Sequence, residues 1–144
     1  MIRHAGLIAR RLEGVWKGAL IEGPSGAGKS DLALRALSAG FRLVADDRVL
    51  LWTLQGRLYG RAPDPLLGLL EVRGQGIATV EPVPFCQVAL LVRLGRAERM
   101  PEPATDAILG VELPALVADP FEASAPAKLS RAIAAFDAAH NRRI

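Results

Sequence analysis

The sequence contains a single cysteine, Cys86, which excludes an internal disulfide and fits a reducing compartment. Placed beside the strand-like run "FCQVALLV", it reads as a small buried hydrophobe rather than a nucleophile. No stretch reaches the ~20 apolar residues a membrane span needs, and "GALIEG" is too short for a signal segment. Dense basic runs are also missing. Apart from Arg10–Arg11 and Arg142–Arg143 the arginines stand singly, which argues against a nucleic-acid-binding tail. There is no repeat and no low-complexity tract. With 144 residues, 51% of them hydrophobic, and a net charge of +3, the expectation is one compact cytoplasmic domain spanning 1–144. Its expected partners are phosphate-rich small molecules or an acidic protein face, not nucleic acid and not a membrane.

What is present is an alternation of strand-like and helix-like segments. Residues 5–12 and 18–23 read as strands joined around "EGVWKG", with Gly14 and Gly18 as turn material. Residues 30–39 place Leu32, Ala33, Ala36 and Leu37 on one helical face, and Gly40 follows as the stop. Residues 41–47 form a buried strand ending in two acids, and "VLLWTLQGRLYGRA" reads as a hairpin turning at Gln55 and Gly56. Residues 68–80 carry three glycines around a charged pair, which marks a functional loop more than a plain strand. Prolines at 82, 84, 101, 103, 114 and 120 are expected to break the second half into loops and short pieces around a strand at 87–94. A last helix starts near Ser124, with Pro126 in its first turn and Leu129, Ile133 and Phe136 as its apolar stripe. His140, near its end, reads as a favourable charge on a helix C-terminus. The fold class is α/β, with antiparallel hairpins extending a mixed sheet.

Lysine is scarce, with only Lys17, Lys29 and Lys128, and one of the three falls in a demanding pattern. Gly23, Pro24, Ser25, Gly26, Ala27, Gly28, Lys29 and Ser30 fit G-x-x-x-x-G-K-[ST], with a strand before and a helix after. At this composition the pattern arises by chance on the order of once in several hundred chains of this length. Its physics is that backbone N–H groups and a helix N-terminus wrap a phosphate chain, Lys29 reaches the β/γ oxygens and Ser30 faces Mg²⁺. A nucleoside triphosphate such as ATP, with Mg²⁺, is the expected ligand.

Two further clusters narrow the chemistry. Asp46 and Asp47 end the strand after the first helix, where ligands of open α/β sheets sit. A carboxylate there can hold Mg²⁺ or take a proton from an attacking hydroxyl. Glu71 and Arg73, two apart on an extended segment, are expected to share a face, Glu71 for Mg²⁺ and Arg73 for phosphate oxygens or as its salt-bridge partner. If residues 5–12 pair with the strand entering the glycine loop, His4 reaches the same edge and can orient an aspartate.

The segments "GPSGAGKSDLALRAL", "LVADDRV" and "LLEVRGQGI", in this order and spacing, resemble the bacterial HPr kinase/phosphorylase family. The resemblance implies a P-loop domain related in architecture to phosphoenolpyruvate carboxykinases. It implies an ATP- and Mg²⁺-dependent kinase acting on a serine of HPr, the phosphocarrier of the sugar phosphotransferase system. Many members also run the reverse phosphorolysis, releasing pyrophosphate, and members assemble as hexamers. Carried over by position, Asp47 is the proton acceptor, Asp46 its neighbour positioned with help from His4, Lys29 the phosphate ligand, and Ser30 and Glu71 the Mg²⁺ ligands. The "EVRGQGI" segment, with Arg73, serves both directions. The chain resembles a short form that begins near the catalytic histidine. It departs from the family at a C-terminal P-V-x-P-G-R-N pattern, where it reads "ADPFEASAPAKLSRAI", leaving Lys128 or Arg131 as the basic residues that would substitute. A small-molecule P-loop kinase and a non-catalytic ATP-sensing regulator of a phosphotransferase protein are the alternatives. The first is disfavoured because so short a chain has little room for a lid and a second pocket.

Overall fold

The computed structural model describes residues 1–142, with side chains described through Phe136. In chain order the elements are β1 (Ile2–Arg3), β2 (Gly6–Leu12), β3 (Val15–Glu22), α1 (Lys29–Leu37), β4 (Arg42–Ala45), β5 (Val49–Leu54), β6 (Arg57–Arg61), β7 (Leu69–Val72), β8 (Gly76–Thr79), β9 (Cys86–Leu94), β10 (Ala104–Ile108), β11 (Val111–Ala118) and α2 (Ala125–Arg142). Nine strands form one sheet, seven of them in the order β1-β5-β6-β9-β3-β2-β4 with β11 and its partner β10 branching off β9, and β7 and β8 form a separate hairpin. The sheet branches at β9, whose N-terminal end pairs antiparallel with β6 and whose C-terminal end pairs parallel with β11.

This topology gathers one set of strand ends. β3 runs parallel to β9, and β9 parallel to β11. β4 is antiparallel to β2, itself antiparallel to β3, so β4 runs in the direction of β3. The C-terminal ends of β3, β4, β9 and β11 therefore share an edge with the N-terminal start of β2. The sheet is mixed, as expected.

Alternation along the strands builds a core on each face. Ile8, Ala19, Ile21, Leu90 and Val92 point toward Leu32, Ala33 and Ala36 of α1 and Ala125, Leu129 and Ile133 of α2. Leu7, Ala9, Leu20, Val88 and Leu91 point the other way, where the sheet curls and Val49, Leu51 and Leu58 cover them. α1 closes at Gly40 (φ 91°), where the Phe41 N–H reaches the Ala36 carbonyl at 3.1 Å. Cys86 is buried in the second core, and burial pushes its thiol far above the ordinary range, as suits an inert hydrophobe.

The structure corrects several expectations. Gly18 is not a turn residue. The turn uses Glu13 and Gly14, β3 has begun by Val15, and Gly18 is buried mid-strand, where a Cβ would lie 2.5 Å from Cys86 Sγ. The prolines do not reduce the second half to loops, because β10 and β11 form a hairpin through Leu109 and Gly110 at φ 51° and 78°. Pro114 is accommodated because it faces Thr105 at a non-hydrogen-bonded position and precedes the ladder with β9, which starts at Ala115. On α2, Leu129 and Ile133 are fully buried, but Phe136 is exposed and lines an open cleft with Lys17 and Gln87. His140 lies beyond the side chains described.

Candidate active site

The glycine loop leaves β3 and enters α1 at the shared edge. Gly28 is the N-cap of α1, in the left-handed region at φ 103°, and no side chain caps the helix. A residue with a Cβ is strained there, and the first-turn N–H groups are left for a ligand or solvent. Lys29 is 8% exposed, and its ammonium donates to the carbonyls of Gly23 (2.6 Å) and Pro24 (3.0 Å). The lysine is thus held along the inside of the loop, its charge balanced by loop dipoles.

Asp46 and Asp47 have separate tasks. Asp46 is buried, and one oxygen accepts the Ser30 hydroxyl at 2.8 Å while the other accepts the Glu71 backbone N–H at 3.0 Å. One carboxylate thereby links the glycine loop, the end of β4 and the β7–β8 hairpin. Asp47 lies at φ 72° between a carbonyl and an N–H joined across it, Arg48 N–H to Asp46 O at 2.9 Å, which makes a γ-turn. Its own carbonyl accepts the Ala5 N–H at 3.1 Å. A non-glycine residue held there costs about 1–3 kcal/mol, a strain that concentrates at functional positions. The β2–β4 register shifts between Leu7 and Ile8, just ahead of the acidic pair, and such irregularities re-aim side chains.

The Asp47 side chain is 57% exposed and held from both sides, with Oδ1 2.8 Å from His4 Nε2 and Oδ2 accepting Arg48 at 3.1 Å. His4 reaches the edge by the hairpin pairing expected of residues 5–12, but its partner is Asp47, not Asp46. The reason is geometric: Asp46 turns inward to Ser30, while the γ-turn sends Asp47 outward to the start of β2.

Glu71 is at the site through its backbone, and its carboxylate is exposed on β7. Arg73 is not on the strand that carries Glu71. β7 ends at Val72, so Arg73 falls in the turn to β8, exposed and without an ion pair among the described residues. Lys128 is engaged by Glu122, and Arg131 is exposed on α2. Sequence reasoning missed Arg48 as the second partner of Asp47, although it directly follows the acidic pair. It also missed Arg35, which binds Asp31 at 3.0 Å and reaches the carbonyls of Pro120 and Glu122, tying the loop after β11 to α1.

Chemically, the edge offers a lysine, uncapped N–H groups, a hydroxyl oriented by a buried carboxylate, and a second carboxylate open to solvent. Among the described residues no three His, Cys, Asp or Glu side chains gather as a metal cage. Mg²⁺ on a nucleotide takes only one or two protein oxygens, the rest coming from phosphate and water. The Ser30 hydroxyl, oriented by Asp46, is one such oxygen; the Glu71 carboxylate is exposed on β7.

A mixed α/β protein with a curled sheet and polar groups converging on one strand edge is what the geometry defines. Residues 9–89 match the family model described as HPr Serine kinase C-terminal domain, and the chain belongs to that family. It is 42% identical over 111 residues to an HPr kinase/phosphorylase of Variovorax paradoxus, covering 65% of this chain and 34% of that protein. It is 51% identical over 63 residues to an HPr kinase/phosphorylase of Clostridium perfringens, covering 44% of this chain and 20% of that one. The matches thus span about a third or less of those curated relatives. In three dimensions it is similar to the Hpr(Ser) kinase/phosphatase of Coxiella burnetii, with a TM-score of 0.74 and 26% identity over 99% of this chain and 96% of that one. Among the described residues no helix is long and apolar enough to cross a membrane.

Proposed function

We propose that this chain is a kinase that transfers the γ-phosphoryl of ATP, with Mg²⁺, to a serine of the phosphocarrier protein HPr. The observation that carries the proposal is the Ser30–Asp46–Glu71 linkage, which draws the glycine loop, the acidic pair and the "EVRGQGI" hairpin into one site. In this reading the architecture is the P-loop arrangement related to phosphoenolpyruvate carboxykinases.

Phosphoryl transfer demands positioning and charge neutralisation more than covalent chemistry. The loop from Gly23 to Ser30 would hold the triphosphate, Lys29 moving from its loop carbonyls to the phosphate oxygens. Ser30 and Glu71 would hold Mg²⁺, with Asp46 orienting the Ser30 hydroxyl. When bound, Mg²⁺ neutralises charge on the β- and γ-phosphates. The acceptor hydroxyl attacks Pγ, the bond from Pγ to the bridging oxygen breaks, ADP leaves, and the hydroxyl proton passes to Asp47. His4 and Arg48 fix the two oxygens of that carboxylate while leaving it open to a protein-borne serine, which a deep small-substrate pocket would not require.

The direct test is to incubate the chain with ATP, Mg²⁺ and HPr and locate any added phosphate by mass. Phosphoserine on HPr supports the proposal. Nucleotide binding with no transfer to HPr points to the ATP-sensing regulator, and transfer to a metabolite points to a small-molecule kinase.

A further inference from the structure

The loop between β11 and α2 is built around its own polar groups. The Asp119 carboxylate accepts the Phe121 N–H at 2.9 Å, the Ala125 N–H reaches the Glu122 carbonyl at 3.1 Å, and Glu122 engages Lys128. Arg35 of α1 donates to the carbonyls of both Pro120 and Glu122, the residues on either side of Phe121. Pro120 is buried against the glycine loop, so close that a Cβ added to Gly28 would lie 3.4 Å from its Cβ. Within this pinned frame the Phe121 ring is left out, 83% exposed. A single exposed apolar side chain is ordinary. An exposed aromatic ring on a hydrogen-bonded backbone, one residue from a proline that touches the N-cap of α1, is a more specific arrangement.

Adjacent Cα atoms are about 3.8 Å apart, so the Phe121 backbone lies one residue's length from the proline that packs against Gly28, the N-cap of α1. A triphosphate lying along that loop, with its terminal phosphate toward Lys29 and Asp46, must leave the loop at its α-phosphate and carry its nucleoside over neighbouring surface. Lys29, Ser30, Asp46 and Asp47 line the acceptor side. The β11–α2 loop lies against Gly28 and is tied to α1 by Arg35.

We propose that Phe121 is the stacking platform for the nucleotide base, held in place by Pro120 and Arg35. This role presupposes the nucleotide binding proposed above and adds the part of the ligand that the phosphate loop does not recognise. Stacking on an aromatic face tolerates any base, so the site would prefer nucleotides over bare polyphosphates without sharp discrimination between ATP and GTP.

The test compares Mg²⁺-ATP and Mg²⁺-tripolyphosphate binding by calorimetry in the wild-type chain, Phe121→Ala and Phe121→Trp. Phe121→Ala is expected to weaken ATP about tenfold and leave tripolyphosphate unchanged, with Phe121→Trp restoring ATP, in line with the effect of removing one base–aromatic stack. Unchanged ATP affinity in Phe121→Ala overturns the inference, and a rise confined to the KM for the acceptor protein overturns it in favour of a docking role. Equal loss of ATP and tripolyphosphate also overturns it, showing that Phe121 supports the loop instead. If the wild-type chain binds neither ligand, the phosphate-loop function itself falls. If it binds both and Phe121→Ala alters neither, only the base platform falls.

Discussion

Replacing Asp46 by alanine perturbs one buried carboxylate that accepts two hydrogen bonds, from the Ser30 hydroxyl and the Glu71 N–H, at 2.8 and 3.0 Å. Hydrogen bonds to a charged group contribute about 1.5–3 kcal/mol each, the lower end applying where water can replace the lost partner. Ser30 is half-buried and its hydroxyl can recruit water, whereas the Glu71 N–H loses the hydrogen bond that links its hairpin to Asp46 at the end of β4. The expected loss is therefore about 3 kcal/mol, and at about 3 °C per kcal/mol for a chain of this size the Tm falls by about 10 °C. Asp46→Asn is the informative control, because its amide can accept from Glu71 and donate to the Ser30 oxygen. Its cost should stay near 1 kcal/mol, or about 3 °C. Thermal unfolding by circular dichroism measures both, and hydrogen exchange at the Glu71 amide reports the local link, which should open in the alanine variant and stay protected in the asparagine variant. An Asp46→Ala protein that melts within about 2 °C of wild type with an undisturbed Glu71 amide would refute the linkage.

Gly18→Ala places a methyl 2.5 Å from Cys86 Sγ and 2.9 Å from Leu7 Cδ1, and overpacking of this kind costs about 1–3 kcal/mol. The Gly18→Ala, Cys86→Ala pair should regain part of that loss in denaturant melts, and a wild-type midpoint for Gly18→Ala alone would contradict the close packing. Asp106 is held below the usual carboxylate range, chiefly by hydrogen bonding from Arg93, then by the Ala107 N–H and the Arg93 charge. Its folded value lies below its unfolded one, so its small stabilisation is present above the ordinary carboxylate pKa and is lost as pH falls through the lower folded value. Carboxylate titration by NMR should move Asp106 upward in Arg93→Gln, and an unmoved titration would show that the pair does not persist in solution.

The glycine loop is legible in the sequence because its requirements are local: a strand, left-handed glycines, a lysine and a helix within a few residues. The hairpin that brings His4 to the edge is legible for a similar reason, since antiparallel neighbours in the chain pair in space. What resists reading is set by tertiary contact. Gly18 looks like turn material until Cys86 and Leu7 occupy the space its side chain would need. Pro114 looks like a breaker until its neighbours place it where no ladder bond is required. Asp46 and Asp47 are adjacent and chemically identical in the sequence, and only the γ-turn tells the buried bridge from the exposed carboxylate. Arg73 looks like a strand neighbour of Glu71 when the strand is assumed to continue, but β7 ends at Val72 and Arg73 falls in the turn that uses Gly74.

The central claim is that the exposed carboxylate of Asp47, held by His4 and Arg48, takes the acceptor proton while the loop around Lys29 binds the triphosphate. Measuring ATP affinity and the rate of phosphate transfer to the serine of HPr in Asp47→Asn tests it most directly. The account predicts near wild-type ATP affinity with transfer reduced by about 10²-fold or more, the contribution expected of a positioned general base. Transfer at the wild-type rate would contradict it.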